Sequence, residues 1–219
     1  DGTQVGAYLV RPPGEGPHPA VLMIHEWWGL NKNILKLAER LADQGYVVLV
    51  PDTYRGQATE LLPRALFIQM TLDRTRVDQD VQAAYDYLAA LPQVDSDRIG
   101  GLGFCYGGGV MLRHGTHNGE LAALATLYGS TITDPQGFGA LAAGHTPVLA
   151  IFGDIDPAFS LEAITAFGEA MEAAKIPHDV FIYPGVGHAF VQSTTIEQPG
   201  SAREAWGDVL AFLDQNLKP

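Results

Sequence analysis

Hydrophobic positions along this chain follow two alternating patterns. Short uninterrupted apolar runs are typical of parallel strands buried on both faces of a sheet. Between them, apolar residues recur at helical spacing. The runs that predict strands are 5–10, 20–24, 46–50, 99–104, 121–127, 147–152 and 178–183, and the segments that predict helices are 32–44, 76–90, a helix that opens at 106, 160–174 and 201–216. This alternation predicts an α/β fold with a mostly parallel sheet and helices on both faces.

Two segments interrupt the alternation. Residues 57–75 are less regular, and the apolar positions over 61–68 predict a short helix that covers the functional site. Residues 129–144 have the composition of a loop. We see no internal repeat and no linker, so we expect residues 1–219 to form a single domain without a large cap domain.

Composition and charge restrict the class of protein. Hydrophobic residues make up 47% of the chain and charged residues 17%, which is typical of a globular protein. The net charge of −12 argues against binding to nucleic acid or to an anionic membrane surface. No apolar run reaches the ~18 residues that a membrane-spanning helix needs. The single cysteine, Cys105, excludes an internal disulfide and favours a reducing, cytoplasmic location.

That cysteine lies in a glycine-rich motif. Gly103 and Gly107 flank Cys105 in the Gly-x-nucleophile-x-Gly spacing of a strand-to-helix elbow. Glycine is needed at both positions because a Cβ atom there would collide with the opposite arm of the turn. The corner side chain then projects at the carboxyl end of the sheet, beside a helix N-terminus that favours a thiolate. The motif therefore predicts that Cys105 is a nucleophile.

Two other interpretations of this motif stay open. A phosphate-binding turn would need a glycine in place of Tyr106, and no Gly-Lys-Ser/Thr follows. An inert buried cysteine in a glycine-rich turn is the second. The partners of Cys105 therefore decide its role.

A histidine and an acid follow the cysteine in the chain order of α/β-hydrolase triads, which is nucleophile, acid, histidine. His188 comes just after the predicted strand 178–183, so its imidazole can accept the thiol proton and later return it to the leaving group. His25 also ends a strand and is the competing histidine, although its side chain can equally point into the core. We favour His188.

The acid is expected after the strand 147–152, where two aspartates qualify. Either carboxylate can orient the imidazole by accepting its Nδ1–H. Asp156, followed by Pro157, has the reach of a loop tip, whereas Asp154 suits a turn or a cap. We favour Asp156.

An oxyanion hole needs two N–H donors. Tyr106, next to the nucleophile, supplies one, and we assign the other to Trp27 at the end of the strand 20–24. Glu26 has no structural reason to follow an apolar strand, and we expect its carboxylate to keep the nearby thiol protonated until substrate arrives. A metal site is not expected, because no His-Glu-x-x-His pattern and no cysteine cluster is present.

With these residues assembled, the sequence resembles the dienelactone hydrolase (carboxymethylenebutenolidase) family of α/β-hydrolases over nearly its whole length. The segments that carry the resemblance are His25-Glu-Trp-Trp-Gly-Leu-Asn31, Asp43-Gln-Gly-Tyr46 through Pro51-Asp52-x-Tyr54, Gly103-x-Cys105-x-Gly-Gly108 and Gly187-His188-x-Phe190. The resemblance implies that Cys105, Asp156 and His188 form a triad. It also implies that Glu26 lies beside the thiol and that the amides of Trp27 and Tyr106 form the oxyanion hole.

One position departs from the family pattern. Members that act on a carboxylate-bearing lactone hold its carboxylate with arginines, one of them shortly after the histidine motif, where this chain has Gln192. Arg64 is the candidate for the other arginine. Trp28 and Phe190 are further candidates for the substrate pocket, although one of the two adjacent tryptophans serves equally well as simple packing. The expected substrate is therefore a small ester, lactone or thioester.

The sequence predicts a cofactor-independent hydrolase that forms a thioester on Cys105, with a small ester or lactone as its only partner and a monomeric or small homo-oligomeric state. Two alternatives stay open. One is a peroxide-sensitive thiol protein, although no second cysteine is present to resolve an oxidised thiol. The other is a binding module without catalytic activity on the same fold.

Overall fold

The computed structural model describes residues 2 and 4–218, and its strands form a seven-stranded sheet in the order β1-β3-β2-β4-β5-β6-β7. The strands are β1 Ala7–Val10, β2 His18–Ile24, β3 Val47–Pro51, β4 Val94–Phe104, β5 Ala123–Leu127, β6 Val148–Gly153 and β7 His178–Tyr183. β1 pairs with β3 in antiparallel orientation, and the other neighbours are parallel. The predicted mostly parallel sheet is confirmed.

Helices connect the parallel strands, and a last helix follows β7. They are α1 Lys32–Asp43, α2 Leu62–Thr71, α3 Arg74–Ala89, α4 Tyr106–His117, α5 Gly139–Gly144, α6 Leu161–Ala173 and α7 Ser201–Leu217. The predicted helices agree with these bounds within a few residues, and α2 is the short helix expected in the irregular segment 57–75. In the described part of the chain, the segment between β3 and β4 contains only α2 and α3 as regular elements.

The prediction of a loop over 129–144 was wrong in its second half. Pro135–Phe138 forms a 3₁₀ turn, and α5 follows it directly. Asp134 caps the turn by accepting a hydrogen bond from the N–H of Gln136 at 3.0 Å. Phe138 and Leu141 are buried in the core, so tertiary packing stabilises a stretch that is too small and glycine-rich to show helical periodicity.

The ends of α1 show how local sequence sets the boundaries. The Asn31 side chain accepts hydrogen bonds from the N–H groups of Asn33 at 3.0 Å and Ile34 at 3.2 Å, which satisfies two of the free donors of the first turn. Gly45 has a φ of +96°, a left-handed conformation that glycine adopts without strain, and the chain turns there into β3. The first turn of α1 is thereby fixed next to the loop that follows β2.

Side chains of the sheet alternate between two cores. Along β2, Leu22 and Ile24 belong to a core that also contains side chains of α3, α4 and α6, whereas Val21 and Met23 belong to a second core that contains side chains of α1 and α7. All four are fully buried. Burying one such side chain contributes roughly 1.5–3 kcal/mol to stability, so both faces must be covered by helices, as predicted. No helix among the described residues combines the length and apolar character needed to cross a bilayer.

β4 lies between β2 and β5 and turns sharply into α4 at Cys105, which has φ of 54° and ψ of −120°. A non-glycine residue in this left-handed region is strained. The arms of the turn nearly touch, because a Cβ atom on Gly103 would lie 2.2 Å from the carbonyl oxygen of Gly107. A Cβ atom on Gly107 would lie 2.3 Å from the carbonyl oxygen of Ile24. The predicted elbow is present, and its glycines are required sterically.

We expect Gly107→Ala to destabilise the protein, because its methyl group would overlap the backbone of β2. Overpacking of this kind costs roughly 1–3 kcal/mol or more. Gly109→Ala is the matched control on the same helix, since its Cβ atom would make ordinary contacts, the nearest at 3.5 Å from Ser130 Cβ. Thermal unfolding should show a lowered midpoint for Gly107→Ala only. Equal midpoints for the two variants would contradict this account of the elbow.

Candidate active site

Three predicted residues meet at the carboxyl edge of the sheet. The His188 Nε2 atom lies 2.9 Å from Cys105 Sγ, and its Nδ1 atom lies 2.7 Å from Asp156 Oδ2. Cys105 follows β4, Asp156 follows β6, and His188 follows β7. The structure therefore brings a thiol, an imidazole and a carboxylate into one hydrogen-bonded line.

The carboxylate fixes the direction of these hydrogen bonds. An ionised Asp156 can only accept, so Nδ1 of His188 carries the proton and Nε2 accepts from the Cys105 thiol. The Asp156 side chain is completely buried, whereas that of His188 is 31% exposed. The imidazole is thus held on its inner side and accessible to substrate and water on its outer side.

Asp154 and His25, the alternatives considered from sequence, occupy other positions. Asp154 is exposed, and its Oδ1 atom accepts a hydrogen bond from the N–H of Gly185 at 2.7 Å. It therefore fastens the turn after β7. His25 is fully buried beneath the site and does not contact the thiol, since its two ring nitrogens bond to the Glu26 carbonyl oxygen and Thr53 Oγ1.

Two aromatic residues that the sequence did not indicate hold the imidazole of His188. Its ring centroid lies 5.1 Å from that of Tyr128 and 6.4 Å from that of Phe159, with which it is stacked. The Tyr128 hydroxyl donates to the carbonyl oxygen of Val191 at 3.2 Å, which ties this cluster to the segment after His188. Tyr128 directly follows β5, so the rule that sites lie at the carboxyl ends of strands would have found it.

Burial raises the pKa of the Cys105 thiol to about 11. The negative charges of Glu26 and Asp156 act in the same direction, while the backbone N–H groups of Tyr106 and Trp27 favour the thiolate and partly offset them. The helix N-terminus favours a thiolate, as expected from the sequence, but desolvation outweighs this effect in the substrate-free site. At neutral pH the site therefore holds a protonated thiol, which is hydrogen-bonded to the imidazole of His188.

Glu26 is 2% exposed and lies on the inner side of the site. Burial raises the pKa of its carboxyl group, and a hydrogen bond from Gln192 Nε2 to Oε1, 3.1 Å long, opposes that rise. Gln192 also donates to the carbonyl oxygen of Ala189 at 2.9 Å. The glutamine predicted near the substrate therefore holds the buried glutamate and the loop after His188.

The two predicted oxyanion-hole amides face the sulfur atom. The N–H groups of Tyr106 and Trp27 both stabilise negative charge at Cys105, although these residues are 79 positions apart in the chain (106 − 27). They come together because β2 and β4 are neighbours in the sheet. Two donors that converge on one point beside a nucleophile form the arrangement that a developing oxyanion needs.

The other predicted pocket residues lie further out. Trp28 packs edge-to-face on Trp27 at 5.4 Å and lines a cavity of about 710 Å³ between α1 and the loop after β3. Phe190 packs against Tyr128, with ring centroids 5.7 Å apart. Arg64 lies on α2 with its side chain exposed to solvent. Among the residues that the structure describes, no group of three or more His, Cys, Asp and Glu side chains is arranged to hold a metal ion.

Comparisons with known proteins identify the family of this chain. The model of the dienelactone hydrolase family matches residues 5–217. A protein provisionally named 2-oxo-3-(5-oxofuran-2-ylidene)propanoate lactonase from a Bradyrhizobium species is 32% identical over 96% of this chain and 89% of its own. One provisionally named carboxymethylenebutenolidase from Methylorubrum extorquens is 29% identical over 85% and 68%. The crystal structure of a protein provisionally named dienelactone hydrolase from Klebsiella pneumoniae superposes with a TM-score of 0.82 at 25% identity, covering 98% of this chain and 94% of that one.

Glu26→Gln should make the thiol more reactive in the absence of substrate. The neutral amide no longer opposes the thiolate, so the pKa of Cys105 should fall from about 11, but stay above its ordinary value because burial is the largest cause of the rise. The alkylation rate with iodoacetamide, measured from pH 7 to 11, should therefore increase at pH 8 by several-fold. Glu169→Gln, on the exposed surface of α6, is the matched control. An unchanged alkylation profile in Glu26→Gln would refute the role assigned to Glu26.

Proposed function

This chain belongs to the dienelactone hydrolase family, with the α/β-hydrolase fold that its sequence predicts, and we propose that it hydrolyses small esters or lactones through Cys105. The observation that carries the proposal is the hydrogen-bonded line of thiol, imidazole and buried carboxylate, with contacts of 2.9 and 2.7 Å. Its nucleophile, base and orienting acid are Cys105, His188 and Asp156.

Acylation begins with proton transfer from the Cys105 thiol to His188 Nε2. The thiolate attacks the carbonyl carbon of the substrate, and the carbonyl oxygen becomes an oxyanion that accepts hydrogen bonds from the N–H groups of Trp27 and Tyr106. The Asp156 carboxylate stabilises the imidazolium through Nδ1–H. Collapse of the intermediate breaks the carbon–oxygen bond of the ester or lactone, and the leaving oxygen takes the proton from Nε2.

Deacylation repeats these steps with water. His188 Nε2 removes a proton from a water molecule, which attacks the thioester carbonyl and forms a second oxyanion in the same hole. The carbon–sulfur bond then breaks, the carboxylic acid leaves, and the sulfur recovers its proton from the imidazolium. The exposed side of His188 gives water direct access to this step.

The neutral resting state of the thiol has a chemical consequence. The thiolate is the nucleophile that reacts with peroxides and alkylating agents. A protonated Cys105 is therefore protected from oxidation and alkylation while no substrate is bound. The same property counts against the peroxide-sensor alternative, which requires a low thiol pKa. We propose that substrate binding, by excluding water and placing a carbonyl carbon beside the sulfur, makes the proton transfer to His188 productive.

The environment of the nucleophile indicates a substrate without a carboxylate near the scissile bond. Glu26 is buried beside the thiol, and Gln192 supplies an uncharged amide where the family resemblance would place an arginine. An amide cannot form the charged two-pronged contact with a carboxylate that arginine forms. We therefore propose an uncharged small ester or lactone, in contrast to the propanoate in the provisional name of the Bradyrhizobium relative.

We predict that turnover of p-nitrophenyl acetate depends on all three residues of the line. Cys105→Ala and His188→Ala should abolish turnover above background, and Asp156→Asn should lower kcat by about 10²–10⁴, because the imidazole loses its orientation and its counter-charge. Asp154→Asn is the matched control two positions away, and its kcat should stay within about twofold of wild type. Equal losses in the two aspartate variants would contradict the assignment of Asp156.

We also predict a measurable preference for uncharged substrates. Wild type should hydrolyse p-nitrophenyl butyrate with a higher kcat/KM than the similarly sized p-nitrophenyl hemisuccinate, which carries a carboxylate. Gln192→Arg should reduce this ratio by about tenfold, because a guanidinium group pairs with the anionic substrate and with Glu26. Gln136→Arg adds the same charge on a distant exposed turn and should leave the ratio unchanged. A ratio that Gln192→Arg does not alter would remove Gln192 from the substrate-binding site.

A further inference from the structure

A chain of buried hydrogen bonds runs beneath the two oxyanion-hole amides. His25 Nδ1 lies 2.7 Å from the carbonyl oxygen of Glu26, and its Nε2 lies 2.9 Å from Thr53 Oγ1. Thr53 Oγ1 lies 3.2 Å from the hydroxyl oxygen of Tyr106. His25 and Thr53 are both fully buried. This relay, consisting of His25, Thr53 and the Tyr106 hydroxyl, takes no direct part in the proposed chemistry.

The Glu26 carbonyl oxygen, at one end of the relay, determines which group donates in each hydrogen bond. A carbonyl oxygen only accepts, so His25 carries its proton on Nδ1 and donates to Glu26. Burial lowers the pKa of His25, so the ring is neutral, and Nε2 accepts the Thr53 hydroxyl proton. The single hydroxyl proton of Thr53 is then used in this hydrogen bond, so the Tyr106 hydroxyl donates to Thr53 Oγ1. All donors thus point the same way, towards the Glu26 carbonyl group.

The peptide group at the end of the relay is part of the oxyanion hole. The Glu26 carbonyl and the Trp27 N–H belong to one planar trans peptide, in which the C=O and N–H bonds point in opposite directions. Fixing the carbonyl oxygen on one side therefore fixes the direction of the Trp27 N–H on the other side, towards Cys105. Hydrogen bonding to the carbonyl oxygen also polarises the peptide, which makes its N–H a stronger donor.

A second donor completes the restraint on this peptide. The N–H of Gly29 donates to the same Glu26 carbonyl oxygen at 3.0 Å, so both lone pairs of that oxygen are engaged. Gly29 has a φ of +86°, and a Cβ atom there would lie 2.8 Å from Ala58 Cα, so the turn tolerates only glycine. The tight turn and the imidazole therefore hold the carbonyl oxygen together.

The position of the imidazole is itself fixed on both faces. Its ring centroid lies 4.8 Å from that of Tyr54, edge-on, and 5.8 Å from that of Tyr106, in a stacked arrangement. The Asp52 carboxylate lies 3.9 Å from His25 Nε2 but accepts hydrogen bonds from the backbone N–H groups of Tyr54 and Gly56. Thr53 therefore remains the hydrogen-bond donor for Nε2.

We propose that His25 is a positioning residue of the oxyanion hole, which orients and polarises the Glu26–Trp27 peptide and couples it to Tyr106, the residue that supplies the other amide. This inference rests on the proposed function. It assigns a role to His25, the histidine that is not part of the triad. It also explains why a polar ring is buried at the end of an apolar strand. One relay thereby joins the two halves of the hole, which come from β2 and β4.

The test separates oxyanion stabilisation from general damage to the site. A trifluoromethyl ketone adds reversibly to the thiol and forms a tetrahedral oxyanion, whereas iodoacetamide alkylates the same sulfur without forming one. His25→Phe keeps the ring but removes both hydrogen bonds. We expect its kcat for p-nitrophenyl butyrate and its affinity for the ketone to fall together by about tenfold, less than the 10²–10³ lost when a donor is removed outright. KM and the alkylation rate should stay within twofold of wild type.

Two further variants keep the test decisive if His25→Phe folds poorly. His25→Asn places an amide N–H where Nδ1–H was and should restore at least half of the lost ketone affinity. Thr53→Val keeps the shape of the buried side chain but breaks the relay at Nε2, and ketone affinity should fall by about threefold with unchanged alkylation. Unchanged ketone affinity in His25→Phe or in Thr53→Val, or a proportional loss of alkylation, would overturn the inference. If wild type itself forms no ketone adduct on Cys105, the proposed function fails instead.

Discussion

The close approach of three backbone segments at the nucleophile elbow is the constraint on which the rest of the structure depends. The end of β4, the start of α4 and the end of β2 are so close that Gly103 and Gly107 have no room for a side chain. This contact forces Cys105 into a left-handed conformation. It also places the loop after β2, with its Trp27 amide, directly against the start of α4. The positions of the proposed nucleophile and of the proposed oxyanion hole are therefore consequences of the same packing.

Burial of the site around Cys105 disfavours charge before substrate binds and strengthens the stabilisation of charge during the proposed reaction. A dry environment disfavours the thiolate, so the pKa of Cys105 is raised and its proton stays on sulfur at neutral pH. The same low dielectric strengthens the hydrogen bonds that two amides give to an oxyanion once charge develops on the substrate. The buried carboxylates Glu26 and Asp156 oppose charge on sulfur, while Asp156 also supports charge on the imidazole. In the proposed mechanism, the site thus stabilises the charges that form during the reaction better than a thiolate in the free enzyme.

Much of this arrangement follows from local sequence signals. Continuous apolar runs located the strands, and the elbow spacing and strand-end rule indicated Cys105 and His188. The position of Asp156 at a loop tip before Pro157 favoured it over Asp154, but its contact with His188 depends on how the loop after Gly153 packs against the loop that carries His188, and no local pattern encodes that packing. A Cβ atom on Gly153 would lie 2.1 Å from the Val186 carbonyl oxygen, which shows how tightly the two loops meet. The short helix α5 was missed for the same reason, since tertiary burial rather than periodicity stabilises it.

Contacts between distant segments of the chain could also not be predicted from the sequence. Tyr128 and Phe159 hold His188 from two different loops, and the hydrogen bond between His25 and Thr53 joins residues 28 positions apart. Only the order of strands in the sheet brings such residues together. Sequence also shows the helix N-terminus that favours a thiolate at Cys105, but not the degree of burial that outweighs this effect.

The central claim is that Cys105 becomes acylated during turnover, and rapid acid quenching followed by mass spectrometry tests it most directly. Wild type mixed with excess p-nitrophenyl butyrate should gain one butyryl group, located on the peptide that contains Cys105, within the first turnover. The adduct should then decay as substrate is consumed. Hydrolysis without any adduct on Cys105, or with an adduct at another residue, would contradict the account.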